Sequence, residues 1–162
     1  MLAVEVRWVA EVTRRVEDYL RQEKVDFEVI EHEPAGSAEE YHQVLGTRYQ
    51  QQAKSIFLRL KRPGGKGFAV LALQAHKRAD LEKVARLLDA RAARLGTVEQ
   101  LREATGCGFG ELPPFGKIFG LPLLFDTDLL TEDTIYFNAG DLGVSIALHP
   151  QELERIEQPI RY

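Results

Sequence analysis

The sequence contains very little sulfur and no long apolar run. Its 162 residues include a single cysteine, Cys107, which excludes a disulfide framework within the chain and is typical of a reducing cytosol. No stretch approaches about 18 consecutive apolar residues, so a membrane-spanning helix is excluded. Glu5 and Arg7 interrupt the only apolar stretch of the first ten residues, and we expect no secretory signal. These absences favour a cytoplasmic protein with no membrane partner.

Acidic residues are absent from a long internal segment. The formal net charge is −4, yet no Asp or Glu lies between Glu40 and Asp80. Residues 41–79 therefore carry +8 and the remainder −12, and the cations of the segment are Arg48, Lys54, Arg59, Lys61, Arg62, Lys66, Lys77 and Arg78. A local positive field can attract phosphates even when the total charge is negative. The distribution favours one end of a nucleic acid held locally, and a merely solvated strand face is the alternative.

Length and composition predict one soluble domain over residues 1–162. The chain is 44% apolar and 28% charged, as in ordinary globular proteins. Apolar spacings of three and four predict an N-terminal helix over about residues 9–23. Strand and helix patterns then follow in the order αβαββαα, a loop, and βββα. Because strands and helices do not alternate regularly, we expect an α+β fold with a mixed sheet.

A glycine- and proline-rich loop is the most unusual segment of the chain. Residues 105–116 read Thr-Gly-Cys-Gly-Phe-Gly-Glu-Leu-Pro-Pro-Phe-Gly, which lacks the Gly-Lys-Ser/Thr ending of a P-loop. Closely spaced glycines allow positive φ angles and close approach of a ligand to the backbone. The composition favours a ligand-binding loop over a plain surface connection, because long loops in compact domains are uncommon.

Several single residues have two possible roles. Lys54 stands at the start of a predicted strand, where it could hold a phosphate or polarise a carbonyl, or could simply be a solvated lysine. Asn138, the only asparagine, could be a turn residue or could place its amide in a pocket, and Ser145 is equally ambiguous. The four histidines and Cys107 lack metal-ligand spacing, so we expect no metal or cofactor, and a structural Cys107 is favoured over a nucleophilic one.

In this order, the pieces resemble the YbaK/prolyl-tRNA synthetase-associated editing domain. The resemblance covers about residues 23–157, and its motifs are residues 53–58 (Ala-Lys-Ser-Ile-Phe-Leu), the loop 105–116, residues 136–140 (Tyr-Phe-Asn-Ala-Gly) and residues 144–148 (Val-Ser-Ile-Ala-Leu). It implies a mixed, barrel-like sheet of about six to seven strands surrounded by helices. It also implies hydrolysis of the ester bond of a mischarged tRNA, tRNA(Pro) or a related one, by a free-standing trans-editing deacylase using positioned water without a metal.

The resemblance also assigns residues to the site. Lys54 corresponds to the family's strand-start lysine and is the expected catalytic residue, and the segment from Gly110 to Pro114 corresponds to the loop that holds the acceptor end. Asn138, Ala139 and Gly140 correspond to the small-residue turn that borders the aminoacyl pocket. The acceptor end of aminoacyl-tRNA is the implied partner, with an aminoacyl-tRNA synthetase as a second one and no DNA.

Two departures from the family pattern concern the expected pocket. Ile30 precedes Glu31-His32-Glu33-Pro34 where cysteine-specific members carry a tyrosine, and Ser145 stands where they carry an acid. With Ile30, His32 and Ser145 near the pocket, cysteine specificity is disfavoured, and alanine, serine, threonine or a non-standard amino acid stay open. A catalytically silent tRNA-binding or synthetase-associated module, and a sensor of free amino acids or nucleotides, are the alternative functions.

Overall fold

The computed structural model describes residues 10–162. Within this range the chain forms five α-helices, and the first begins at Glu11, directly after Ala10. The predicted start of the N-terminal helix at residue 9 lies outside the described residues. The helices are α1 (Glu11–Gln22), α2 (Ala38–Leu45), α3 (Leu81–Leu87), α4 (Val98–Thr105) and α5 (Pro150–Glu157).

The described residues form eight strands, and two of them were not expected. The strands are β1 (Phe27–Glu31), β2 (Ala53–Arg62), β3 (Gly65–Gln74), β4 (Ala92–Leu95), β5 (Leu123–Phe125), β6 (Ile135–Asp141), β7 (Val144–Leu148) and β8 (Ile160–Arg161). The expected order lacks β4 and β8, which are short strands at the two edges of one sheet. A four-residue or two-residue strand shows too little alternation to be read from sequence.

The strands divide between two sheets of mixed direction. One has the order β1-β7-β6 and the other β4-β2-β3-β5-β8, in which β5 runs parallel to β3 and to β8. A single bridge between Gln52 and Tyr136 connects the two sheets, just before β2 begins. The α+β fold with a mixed sheet is therefore confirmed, and the barrel-like sheet expected from the resemblance is divided into two sheets within residues 10–162.

Hydrophobic alternation along β2 explains why the five-stranded sheet is covered on both faces. Phe57 belongs to a core cluster that contains Val16 and Leu20 of α1, whereas Leu58 and Leu60 belong to a second cluster that contains Val84 of α3. Successive strand residues point to opposite faces. The central strand β3 consequently has an unbroken apolar run at residues 68–73, which is typical of a strand covered on both faces.

Polar side chains cap the first turns of three helices. The side chain of Thr97 accepts from the backbone of Gln100 at the start of α4, and the side chain of Gln100 completes the capping box. Ser37 and Asp80 cap α2 and α3 in the same way. Asn138, Ala139 and Gly140, expected in a small-residue turn, lie within β6, which has a register irregularity there and continues to Asp141, and the turn itself is at residues 142–143. No helix in the described part of the chain is long and apolar enough to cross a bilayer.

Candidate functional site

A cavity of about 480 Å³ opens where the two sheets meet. Its floor comes from the first residues of β2 and from Tyr136, Phe137 and Asn138 of β6. Its walls come from residues 35–38, from residues 95–98 and, in the glycine-rich loop, from Phe109, Gly110 and Leu112. Most of the lining is apolar, and Lys54 is the one charged side chain among the described residues that line it. This volume is in the range of small-molecule sites.

Lys54 is a half-buried cation held at the cavity wall. Its ammonium group donates a hydrogen bond to the backbone carbonyl of Lys77 and, within residues 10–162, forms no ion pair. Burial lowers the pKa of Lys54 below its ordinary value, and the nearby charge of Arg78 lowers it further. An ammonium has three N–H donors, so two of those on Lys54 are left for a ligand.

Lys77, whose backbone carbonyl accepts the hydrogen bond from Lys54, forms ion pairs through its own side chain. The ammonium of Lys77 lies 2.8 Å from a carboxylate oxygen of the buried Asp126 and 2.5 Å from one of Asp128. Burial would lower the pKa of Lys77, but its hydrogen bonds to these two carboxylates raise it. Asp126 also accepts the backbone N–H of Gln74 at the end of β3. Asp126 thereby holds the turn that positions Lys54.

A network of four polar side chains lies beneath the cavity. Ser145 Oγ, fully buried, is 2.6 Å from both the Tyr41 hydroxyl, which donates to it, and His32 Nε2. It is also 3.2 Å from Asn138 Oδ1. His32 Nδ1 lies 2.7 Å from the carbonyl of Glu33, an acceptor, so Nδ1 carries a proton toward it. Burial raises the pKa of Tyr41, which keeps its hydroxyl a donor.

The amide of Asn138 joins two walls of the cavity. Its Nδ2 donates to the carbonyl of Ala35 at 2.8 Å and to the carbonyl of Gly110 at 2.9 Å. Its Oδ1 is the atom nearest Ser145. Both hydrogens of one amide are thus used to hold two separate loops. Asn138 lines the cavity but acts in this structure as a clamp, with its donors directed at backbone.

Gly110 has a backbone conformation that favours glycine. Its φ is +83°, and a Cβ built there would lie 3.0 Å from the carbonyl oxygen of Gly36. A side chain at this position would therefore be strained, and it would have to displace the neighbouring loop by a few tenths of an ångström. The glycine-rich composition of the loop thus has a structural reason at this position.

The structure brings some of the sequence-predicted residues together and separates others. Lys54, Gly110 and Asn138 line the cavity, while Ser145 and His32 contact it through Asn138 and Tyr41. The rest of the predicted set is absent from the described lining: Ile30, Pro114, Ala139 and Gly140.

Each of these four has an identifiable place in the fold. Ile30 pairs with Ser145 across the β1–β7 ladder. Pro114 is buried, and the buried Ala139 accepts a 2.7 Å hydrogen bond from the hydroxyl of Thr13 on α1. Gly140 has φ +88°, and a Cβ there would lie 2.7 Å from Val12. Ala139 and Gly140 thus let α1 pack closely on β6.

Sequence analysis missed the rim of the cavity. Three apolar residues of the lining are exposed: Phe109 at 79%, Leu95 at 63% and Val98 at 48%. Ser55 was also missed, and its buried hydroxyl makes no hydrogen bond with the described residues. An aromatic residue between two glycines of a loop was the available signal for Phe109, whereas Leu95 belongs to the unexpected strand β4.

Neither the cysteine nor the histidines form a metal site in the described residues. No group of three or more His, Cys, Asp or Glu side chains between residues 10 and 162 is placed to hold a metal ion. Cys107 is fully buried in the core, and burial raises its pKa to about 11. A neutral, enclosed thiol is a weak nucleophile, which agrees with the structural role favoured from the sequence.

Comparison with known proteins gives matches along most of the chain. Residues 32–156 match the model of the aminoacyl-tRNA editing domain. The multifunctional Ser/Thr-tRNA deacylase ProXp-y of Escherichia coli K12 is 36% identical over 145 residues, covering 86% of this chain and 84% of that protein.

Solved structures give the same picture. A crystal structure described as a candidate trans-editing enzyme for prolyl-tRNA synthetase superposes with a TM-score of 0.76 at 26% identity, covering 96% of this chain and 97% of that one. A hypothetical protein of known structure has the same fold, with a TM-score of 0.81 at 18% identity over 91% of this chain and 96% of its own.

Proposed function

Because the chain belongs to the aminoacyl-tRNA editing domain family and is a trans-editing aminoacyl-tRNA deacylase, we propose that it hydrolyses its ester substrate in the cavity at Lys54. The observation that carries this proposal is the isolation of Lys54. Its half-buried ammonium has two unused N–H donors, and the mostly apolar lining of the cavity contains no carboxylate among the described residues. Such a group can bind an anion or stabilise a developing oxyanion.

The chemistry asks little more of the protein. An aminoacyl ester is already activated, so the enzyme must position a water molecule and stabilise the oxyanion that develops on the ester carbonyl. Lys54 supplies that stabilisation, or it holds the terminal phosphate and so aligns the ester. The described lining contains no carboxylate or imidazole, so orientation and charge stabilisation are the contributions we assign to the side chains.

The rim provides a platform for the terminal nucleoside. Phe109 presents an exposed ring beside the cavity, and stacking of a base on an aromatic ring contributes about 1–3 kcal/mol. The carbonyl of Gly110 is occupied by Asn138, which fixes the loop in one conformation before substrate arrives. We assign Phe109 and the Gly110 loop to the acceptor-end adenosine.

A small hydroxylated amino acid is the aminoacyl group that we propose. The related deacylase is named for serine and threonine, and the free hydroxyl of Ser55 at the wall is a hydrogen-bond partner for such a side chain. Ser145, which reaches the cavity through Asn138 and Tyr41, stands where the resemblance gives cysteine-specific members an acid, and this agrees with the choice. We further propose that the enzyme acts in the cytoplasm on tRNA(Pro) or a related tRNA, with a synthetase as the supplier of mischarged product.

The experiment is a deacylation panel with matched lysine variants. The wild-type protein is incubated with Ser-, Thr-, Ala- and Cys-charged tRNA, and hydrolysis of the ester is followed. Lys54→Ala should lower kcat/KM by about 100-fold or more, because removal of one oxyanion donor costs that much in other hydrolases. Lys83→Ala is the control, since Lys83 is also half-buried but contacts Tyr162 away from the cavity. Equal turnover by the two variants would show that Lys54 has no catalytic role.

A further inference from the structure

The face of β2, β3 and β4 beyond the cavity carries four cations in directly opposed pairs. Arg59 of β2 pairs with Arg94 of β4, and Lys61 of β2 pairs with Lys66 of β3. Residues directly opposite in a ladder share one face, and like charges in that position destabilise a sheet. We call these four residues the cationic face.

Nothing in the described part of the chain neutralises this face. None of the four cations takes part in an ion pair within residues 10–162, although seven such pairs occur elsewhere there. The neutral Phe68 and Ala92 are the other ladder partners of Arg59 and Lys61. A groove of about 590 Å³ runs along these residues. These like-charge pairs lower the stability of the sheet and have no counter-charge within the described residues. Their positive field can instead bind an external polyanion.

The cationic face adjoins the cavity at two points. Phe57 lines the cavity and lies on the same face as Arg59 and Lys61, which follow at roughly 7 and 13 Å along the strand. Arg94 immediately precedes Leu95, which also lines the cavity. Gly96 permits this junction, because a Cβ there would lie 2.5 Å from the ring of Phe57. A nucleotide chain leaving the cavity would therefore pass over this face.

We propose that the cationic face binds the acceptor-stem phosphates of the tRNA whose aminoacyl end occupies the cavity. The proposal rests on the proposed function for the identity of the polyanion. It includes Arg94, which lies outside the acid-free segment of the sequence and reaches the face only through the β2–β4 pairing. The face determines binding of the tRNA body, and Lys54 acts on the ester.

The test uses one substrate that has the tRNA body and one that lacks it. One is full-length mischarged tRNA, and the other is an aminoacylated CCA trinucleotide. The four-residue variant replaces Arg59, Lys61, Arg94 and Lys66 by Gln, and the control replaces the exposed Arg14 and Arg86 by Gln. We expect the four-residue variant to raise KM for tRNA at least 10-fold with kcat unchanged, and to leave the trinucleotide unaffected. The slope of log(kcat/KM) against log[salt] should become shallower by about one for each phosphate that the variant no longer neutralises.

Two results would overturn the proposal. An unchanged KM for tRNA would remove the face from tRNA binding and leave an acidic protein surface as its occupant. An equal decrease in kcat/KM on both substrates, by a variant whose thermal melt matches that of the wild type, would show that the face acts at the aminoacyl end and not on the tRNA body. Binding of uncharged tRNA, followed by fluorescence anisotropy, tests this proposal separately from the proposed function. If the wild-type protein showed no turnover, the proposed function would be contradicted. The tRNA affinities of the wild type and of the four-residue variant would still test the cationic face.

Discussion

The clamp formed by Asn138 allows a quantitative test of how the cavity walls are held. Asn138→Asp preserves the shape of the side chain but removes the two N–H donors to the carbonyls of Ala35 and Gly110. Removing each hydrogen bond costs about 1 kcal/mol, and leaving a buried carbonyl such as that of Ala35 unpaired adds to this cost. A carboxylate facing two carbonyl oxygens also replaces attraction with repulsion. We expect the free energy of unfolding to fall by about 2–4 kcal/mol.

Urea and thermal unfolding at pH 7 measure this change. For a chain of this length each kcal/mol shifts Tm by roughly 2–4 °C, so a decrease of about 10 °C is expected. The repulsion raises the pKa of the introduced carboxyl in the folded state. The penalty should therefore be full above that pKa and shrink as the pH falls through it, when the protonated acid can donate one hydrogen bond again.

The matched control is Gln151→Glu. Gln151 donates a long 3.4 Å hydrogen bond to the carbonyl of Leu130 at an exposed position, so the same chemical change should alter stability by less than about 0.5 kcal/mol. If Asn138→Asp were as stable as this control, the clamp would contribute nothing and the reasoning would be refuted. Deacylation by Asn138→Asp, assayed well below its Tm, should also be reduced, because both loops line the cavity.

Three other predictions concern single positions. In urea titrations, Gly110→Ala should lower the free energy of unfolding by about 1–2 kcal/mol more than Gly46→Ala. Both glycines have a positive φ, but only Gly110 has close neighbours at the position of a Cβ. Equal decreases would contradict the effect of these neighbours. Since the pKa of Lys54 is lowered, background-corrected turnover should begin to fall, as the pH rises, below the ordinary lysine pKa. In Lys54→Arg this alkaline decrease should move to higher pH, because the guanidinium stays protonated. An alkaline decrease at the same pH in both proteins would assign it to another group. Cys107 is buried and has a pKa of about 11, so it should resist alkylation by iodoacetamide at about pH 8 until urea unfolds the chain. Cys107→Ala should have the kcat of the wild type. Rapid labelling of the native protein would contradict the burial of the thiol.

Much of the local structure was predictable because its causes are local. Thr97 and Gln100 form their capping box from residues three apart, and the alternation of Leu58 and Leu60 with Phe57 assigns β2 to a two-sided sheet. Strands β4 and β8 could not be predicted, because they owe their pairing to neighbours distant in sequence. Arg94 of β4 pairs with Arg59 of β2, and no local pattern contains that pairing.

The site divides in the same way. The sequence by itself determined the residue types that the chemistry needs: a strand-start Lys54, a glycine at position 110 and an acid-free, cationic segment. Only the tertiary structure decided which of them face the cavity. It directs Asn138 at two backbone carbonyls and places Ala139 and Gly140 against α1. It also brings Phe109 to the rim. The partners of these β6 residues come from separate segments of the chain: Thr13 of α1 and Ala35 lie more than 100 residues away, and Gly110 lies in the glycine-rich loop.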